Sequence, residues 1–369
     1  MTTIVRSIDL GSGFVKYSRL VDGKLEFTSF PSLAPRHTGR DLSSTLSVLG
    51  KRDTVVVNVE GTLYEVGPDS ADLDSNDSTR NLNDQFIYTD QYRAAFYGAL
   101  CYMGEKEIDL LVVGLPLTTL HRADDLTKIC EGVHKINDAT TVTVKKVLVL
   151  AQPQGGLYYC MEQRDNIPEF EFLDEEQNLV LDPGYVTFDF MRSRGKKIND
   201  ARSGAYPGGV SKVLRAIGDS LSNKFGVDYD NLAAIDKALE RRRIKINGKV
   251  EDMLEHIRNA KPTIEGSINY VRNMVGDGAD IDNIILFGGG ERIFAKTLAS
   301  YYKDRTIYVL GDAQYANVKG YQAAGEAEAK VKPVPRADDS PPELKVLRYE
   351  PPKVPAGVTG KAAAVHDDI

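Results

Sequence analysis

The chain has 369 residues, enough for two lobes of ordinary domain size, and its 42% apolar and 27% charged content is that of an average globular protein. It contains no run of about 18 to 20 apolar residues, and its start, MTTIVRSIDLGSG, lacks the apolar core of a signal peptide, so a cytoplasmic protein without membrane contact is expected. A formal charge of −7 argues against chain-wide attraction to nucleic acid. Cys101, Cys130 and Cys160 suit neither a disulfide framework nor a metal knuckle and read as buried thiols.

Strand and helix character alternate along the chain, which predicts an α/β protein. Ile4 to Leu10 reads as a buried strand, Gly11-Ser12-Gly13 as a turn, and Phe14 to Leu20 as a second strand ending in an Asp22-Gly23 hairpin turn. Between about residues 30 and 85 the pattern weakens, and DSADLDSNDSTRNLND reads as an exposed loop or small inserted subdomain. A helix follows from Thr89 to Gly104, capped by Thr89 or Asp90. Next come a strand from Asp109 to Gly114 and a β-rich run from Thr140 to Leu150. Each ends at a Gly/Pro turn, the second being Ala151-Gln152-Pro153-Gln154-Gly155-Gly156.

Residues 179 to 198 repeat the opening: an apolar strand to Asp182, Gly184 in the turn, a strand from Val186 to Met191, and a further strand near Lys196 to Ile198. Val210, Val213, Leu214, Ile217, Leu221 and Phe225 then form one stripe of a long helix. Helical regions at Asp236 to Arg243, whose Arg241-Arg242-Arg243 reads as a solvated face, and at Glu265 to Met274 precede a strand from Ile284 to Phe287 and the turn Gly288-Gly289-Gly290. The last helix falls near 314 to 328, and the segment after Lys330 holds seven of the sixteen prolines, so it is expected to be extended or disordered. The expected division is 1–160 for a first lobe carrying an insert at about 30–85, 161–330 for a second lobe whose last helix can return to the first, and 331–369 for the tail.

The chemistry lies in the repeated form strand, Asp, x, Gly, turn, strand, found at Ile8-Asp9-Leu10-Gly11-Ser12-Gly13 and again at Leu181-Asp182-Pro183-Gly184-Tyr185-Val186-Thr187. Glycine in such a turn lets backbone N–H groups approach phosphate oxygens, and Ser12 and Thr187 can add hydroxyl donors. Asp9 and Asp182 would be repelled by phosphate unless a cation lay between, and Mg²⁺ keeps waters that such carboxylates can hold. One Asp-Gly turn is an ordinary β-turn, but two, about 170 residues apart and each leaving a buried strand, imply a metal-nucleotide. Lys16 is placed to reach a β- or γ-phosphate, and Gly288, Gly289 and Gly290 offer a side-chain-free edge for an adenine or ribose. No G-x-x-x-x-G-K-[ST] loop and no complete G-x-G-x-x-G is present.

These residues resemble the superfamily of actin, DnaK-type chaperones and sugar kinases. Within it they look most like the actin-like plasmid segregation proteins of the ParM/StbA group, including the branch attached to the PRTRC plasmid system. The similarity spans about residues 4 to 328: a first phosphate loop at Asp9 to Lys16, a connecting segment at Val112 to Pro116, a second phosphate loop at Asp182 to Thr187, an adenosine loop at Phe287 to Glu291 and a second connecting segment at Ala316 to Gly325. The resemblance implies an actin-like α/β fold with a mixed sheet in each lobe, flanking helices and a nucleotide cleft between the lobes. It also implies an ATPase using ATP/ADP and Mg²⁺, with Asp9 and Asp182 holding the metal through water.

The same resemblance implies a Gln or Glu that positions the attacking water. Gln154 matches the segregation proteins and is favoured, while Gln152 matches the chaperones. Pro183 and Tyr185 depart from the usual Gly-Gly or Gly-Ser and predict phosphate contacts resting on Gly184, Tyr185 and Thr187. The function implied is a head-to-tail filament that moves or positions plasmid DNA through a separate DNA-binding adaptor, without sequence-specific DNA contacts of its own. The alternative is a non-filament ATPase of the same fold, chaperone-like or a small-molecule kinase.

Overall fold

In the computed structural model, which describes residues 3–39, 52–73, 85–338 and 340–349, strand β1 (Val5–Leu10) is buried at all six positions. A strand covered on both faces must be apolar or pair its polar groups, and Arg6 and Asp9 pair theirs, with Glu105 and Lys16. β1 runs antiparallel to β2 (Phe14–Val21), which runs antiparallel to β3 (Lys24–Pro31). The β2–β3 connection is Asp22-Gly23, whose φ values of 49° and 78° are the positive pair that a type I′ turn requires. β4 (Leu110–Leu115) and β5 (Val147–Ala151) extend the sheet in parallel, giving the order β5-β4-β1-β2-β3.

The second sheet reuses this plan. β6 (Gln177–Pro183) pairs antiparallel with β7 (Phe188–Arg194), which the short strands β8 (Lys197–Ile198) and β9 (Gly204–Tyr206) extend. Beyond β6 lie β10 (Asn283–Leu286) and β11 (Ile307–Leu310) in parallel, and β12 (Leu344–Leu347) closes that edge antiparallel to β11. Two small hairpins, Val55–Val59 with Thr62–Val66 and Arg243–Ile246 with Lys249–Asp252, stand apart from the main sheets.

The strands of the first sheet alternate with α1 (Asp90–Met103), before β4, and α2 (Ala123–Cys130), between β4 and β5, and α3 (Gln152–Glu162) follows β5. Helix α1 starts where the Thr89 hydroxyl accepts the Tyr92 N–H at 3.2 Å and stops at left-handed Gly104. Helices α4 (Val210–Phe225), α5 (Leu232–Arg241), α6 (Leu254–Val275) and α7 (Glu291–Tyr301) share one core with the second sheet, and the α4 stripe from Val210 to Leu221 is buried. Last, α8 (Ala316–Glu328) lies against the first sheet, where Ser7 Oγ donates to Val318 O at 2.9 Å and Gln322 Nε2 donates to Val5 O at 3.1 Å. Glycines let α8 touch α3: a Cβ on Gly320 would overlap the Gly155 carbonyl oxygen, and one on Gly155 would meet the Asn317 backbone.

The fold class agrees with the sequence reading, and several local expectations are corrected. The run from Thr140 to Leu150 is two strands in different sheets, Thr141–Val144 and β5, because Lys145 and Lys146 interrupt the apolar pattern. Gln152 to Gly156 is no turn but the first turn and a half of α3, with Pro153 early in the helix, where its missing N–H costs nothing. The arginine run leaves the helix: Arg242 is its left-handed cap, and Arg243 begins a strand. After Lys330 the described residues 331–338 and 340–349 run extended along the two sheets, and the rest of the expected tail, 350–369, lies outside the described residues. Of the polar stretch 69–84, residues 74–84 lie outside the described residues, and Ser70–Leu73 form a 3-10 turn. Cys130 and Cys160 are buried and Cys101 is half-buried, all three as free thiols. Among the described residues no helix is long and apolar enough to cross a membrane.

If the α3–α8 contact sets the geometry, Gly320→Ala should destabilise the protein by about 2 kcal/mol, because overpacking outweighs the gain of roughly 1 kcal/mol in helix propensity. Urea unfolding monitored by circular dichroism measures this, and an unchanged midpoint would show that the helices can separate freely.

Candidate functional site

The two hairpins share one register and one closing bond. In the first, Asp9 on β1 stands opposite Lys16 on β2; in the second, Asp182 on β6 stands opposite Asp189 on β7. Each turn is closed by a glycine N–H: Gly11 to Phe14 O at 3.1 Å and Gly184 to Thr187 O at 2.8 Å. Among the described residues no backbone carbonyl takes the N–H of Ser12, Gly13, Val186 or Thr187, which leaves both turns with donors for an anion. Pro183 stands at the end of β6, where it pairs with Phe188, so its missing N–H falls outside the turn.

The second turn also caps α4, a helix that starts at Gly209 without a capping side chain. Its first N–H groups, those of Gly209, Val210 and Ser211, donate to the carbonyls of Val186, Gly184 and Tyr185 at 3.0, 3.0 and 2.7 Å. Gly209 is required there because a Cβ would lie 2.5 Å from the Gly184 oxygen. A third loop is stitched to the same hairpin: Gly290 N–H donates to Pro183 O at 2.9 Å, and a Cβ on Gly288, whose φ is 93°, would overlap Asp182 Oδ1.

Side chains converge between the hairpins. Lys16 Nζ lies 2.8 Å from Asp9 Oδ2, and Gln152 Nε2 donates to Asp9 Oδ1 at 3.2 Å. Asn317, on α8, donates from Nδ2 to Asp182 Oδ2 at 2.7 Å and accepts the Gly156 N–H at 3.0 Å. Thr187 Oγ1 donates to Asp189 Oδ2 at 2.5 Å, while the buried Asp189 Oδ1 has no hydrogen-bond partner among the described residues.

Burial raises Asp182 to about 6 and Asp189 to about 7; the neighbouring carboxylates add to the rise, while Lys16 and Asn317 on the one and Thr187 on the other oppose it. For Lys16, burial disfavours the ammonium, but Asp9 and Asp182 outweigh it and raise its value. Three buried carboxylates against one ammonium make an oxygen-rich site short of positive charge, which fits a hard divalent cation; Asp189 Oδ1 completes no hydrogen bond among the described residues, though the Leu117 N–H lies close enough to favour the carboxylate.

These groups line a cleft of about 510 Å³. Asp9, Gly11, Ser12, Gly13, Lys16, Gln152, Asp182, Gly184, Tyr185, Thr187, Gly288 and Gly289 all face it. Two of the expected site residues do not. Gln154 turns its side chain back, its Oε1 accepting the Ala151 N–H at 2.9 Å at the start of α3, because the third position of a helix is where a Gln reaches its own first N–H groups. Gly290 packs on Pro183 behind the loop, leaving Gly289, with nothing within 4 Å of a built Cβ, as the open edge. The Gly184 N–H is spent on its own turn.

Sequence reasoning passed over Asp189 and Asn317. Asp189 was within reach, since it follows Asp182 by the same seven positions that separate Lys16 from Asp9. Asn317 lies in a segment singled out only as a connection, and its contact spans 135 residues. At the cleft's far rim, Arg292 bridges α7 to α5 through Asp236 at 2.7 Å and Glu240 at 2.6 Å. A separate grouping of acids and a histidine, Glu251, Glu255 and His256, already holds a cation, because Lys224 Nζ lies 2.7 and 2.6 Å from the two glutamates.

No curated protein sequence matches the chain. Residues 7–155 match the family model for the N-terminal domain of actin-like proteins, and residues 180–300 match that for the C-terminal part of the archaeal actin homologue MreB-like proteins. Among solved structures, the chain is similar to an apo ParM protein of pSK41 (TM-score 0.64, 21% identity, 89% of this chain and 99% of that one). It is similar also to the archaeal actin homologue Ta0583 (TM-score 0.71, 18% identity, 88% and 100%) and to a 15-stranded ParM filament from Clostridium botulinum (TM-score 0.67, 18% identity, 89% and 100%). A repeated hairpin plan in two sheets, a cleft between the hairpins and family models matching both halves lead to one conclusion: the chain belongs to the actin-like superfamily.

Proposed function

We propose that the cleft binds Mg-ATP and that nucleotide state drives the chain into and out of a head-to-tail filament, which positions plasmid DNA through a separate DNA-binding adaptor. The observation that carries the first step is the pair of turns closed by the same glycine bond and lining one cleft, each with N–H groups that no backbone carbonyl among the described residues takes. Ser12, Gly13, Val186 and Thr187 would hold phosphate oxygens by backbone N–H, Lys16 would pair with the terminal phosphates, and Gly289 would give the base or ribose a flat edge. Asp9, Asp182 and Asp189 would hold Mg²⁺, which supplies charge neutralisation of the phosphates when bound.

Gln152 is the residue placed to orient the attacking water, since its amide lines the cleft beside Asp9, whereas the Gln154 side chain is committed to the helix end. A glutamine is no base; its contribution is position. ATP touching both hairpins favours the closed form by its additional contacts there, and hydrolysis removes part of that bias. Support for filament formation comes from the ParM filament among the structural relatives, and support for nucleotide binding from the ADP complex of Ta0583, which is 17% identical with a TM-score of 0.67.

The raised carboxylates also make a prediction about stability. A carboxyl whose folded value lies above its unfolded value binds more protons when folded, so its contribution to stability falls as pH rises from about 4, through the values near 6 and 7 of Asp182 and Asp189. Asp189→Asn in the nucleotide-free protein should therefore melt somewhat above the parent at pH 5 and by a clearly larger margin at pH 8. Differential scanning calorimetry at the two pH values reads this, and equal melting temperatures at pH 8 would remove the buried-charge account. In ATP turnover, Gln152→Ala should lose on the order of a hundredfold with nucleotide affinity retained, while Gln154→Ala should stay within a few fold of the parent. The reverse ranking would return the water to Gln154. For the filament, sedimentation and electron microscopy with ATP and with ADP should give nucleotide-dependent polymer; none at high protein concentration would sink the proposal.

A further inference from the structure

We propose that the segment following α8 is a strap joining the two sheets, and that its second anchor, β12, must detach before the cleft can open fully. After Lys330 the chain turns back onto the edge of the first sheet. Leu25 N–H, on β3, donates to Pro335 O at 2.8 Å, and Ala337 N–H donates to Leu25 O at 2.9 Å. Between them, Arg336 Nη2 reaches Glu162 Oε1 at the end of α3 at 2.6 Å and lies 3.6 Å from Glu326 Oε2 on α8, while its guanidinium stands 5.6 Å over the Phe27 ring. Glu326 is 2% exposed, so drawing Arg336 out would leave a buried carboxylate without its countercharge. This anchor is firm.

The second anchor is on the other sheet and is weaker. β12 is four residues long and none of them is fully buried: Leu344 and Leu347 pack half-buried against the neighbouring cores, while Lys345 and Val346 are exposed. Peeling it returns polar backbone to water at small cost and uncovers two half-buried leucines, but it strands no buried charge. Six residue steps separate Ala337 from Glu343, whose oxygen takes the Gly311 N–H at 2.5 Å, so the connection reaches at most about 20 Å. A motion that carries the β3 edge from the β11 edge beyond that reach draws this connection taut, and the anchor without a buried charge is the one that yields. The strap thereby adds resistance to opening on top of the α3 and α8 connections.

Two variants test it in the full-length chain. The Gly311–Glu343 bond marks a hydrogen-bonded pair, so by alternation Val309 and Lys345 are bonded and Tyr308 and Val346 are not, with side chains close enough to cross-link. Lys345→Pro removes one ladder donor; Tyr308→Cys with Val346→Cys fixes β12 when oxidised and frees it when reduced. Small-angle scattering of nucleotide-free protein reads opening whether or not the cleft takes a nucleotide. Release of a fluorescent ATP analogue reads its consequence and rests on the nucleotide reading above.

The oxidised double variant should have a smaller radius of gyration than its reduced form and release nucleotide roughly tenfold more slowly, with Lys345→Pro shifted the other way on both. Identical scattering for oxidised, reduced and Lys345→Pro protein would overturn the strap. Scattering that responds as expected in a chain that binds no ATP analogue would keep the strap and overturn the nucleotide site.

Discussion

The contact between α3 and α8 is the constraint on which the rest depends. The two helices follow sheets of separate cores, and they approach closely because Gly155 and Gly320 present backbone to backbone. At that distance Asn317 can accept the Gly156 N–H with one end of its amide and donate to Asp182 with the other. The same crossing brings the start of α3, with Gln152, onto Asp9. A helix pair spaced by larger side chains would move these groups by more than the length of a hydrogen bond, and the two hairpins would no longer share a cleft.

Within that frame the polar groups divide into those already satisfied and those held in reserve. Lys16, Asn317, Thr187 and Gln152 each neutralise part of the buried acid charge, yet Asp189 keeps an oxygen that completes no hydrogen bond among the described residues, and Asp182 and Asp189 remain above the usual carboxylate range. Such a site is disfavoured in isolation, and under the proposed function a bound cation would relieve it and so couple occupancy to folding stability. The hairpin turns are divided in the same way. Their first glycine N–H groups close the turn, and those of Ser12, Gly13, Val186 and Thr187 have no backbone acceptor among the described residues.

Much of this was legible in the sequence because it is local. The strand-Asp-x-Gly-turn-strand pattern states its own geometry, and the α4 stripe shows up as a period of 3.6 residues. What escaped was set by tertiary context. Gln152 and Gln154 differ by two positions in a stretch that reads as a turn; only once it is a helix does the third position commit Gln154 to capping and leave the first for the cleft. The described part of the tail, to Tyr349, holds no helix, as its prolines suggest, but its order comes from Arg336 finding Glu162 and Glu326, a match across more than 170 residues in one case that no window of sequence displays.

The place of β12 at the edge of the second sheet carries a consequence for biogenesis. This strand is synthesised after every other strand of its sheet, so until the ribosome has delivered it the β11 edge stands bare, with its N–H and C=O groups able to template pairing with another chain. The segment that precedes it is rich in proline, which cannot pair along a sheet in register. The nascent protein thus passes through an interval in which its most association-prone edge is shielded only by the reluctance of its own linker to form sheet, and that interval ends when the last strand docks.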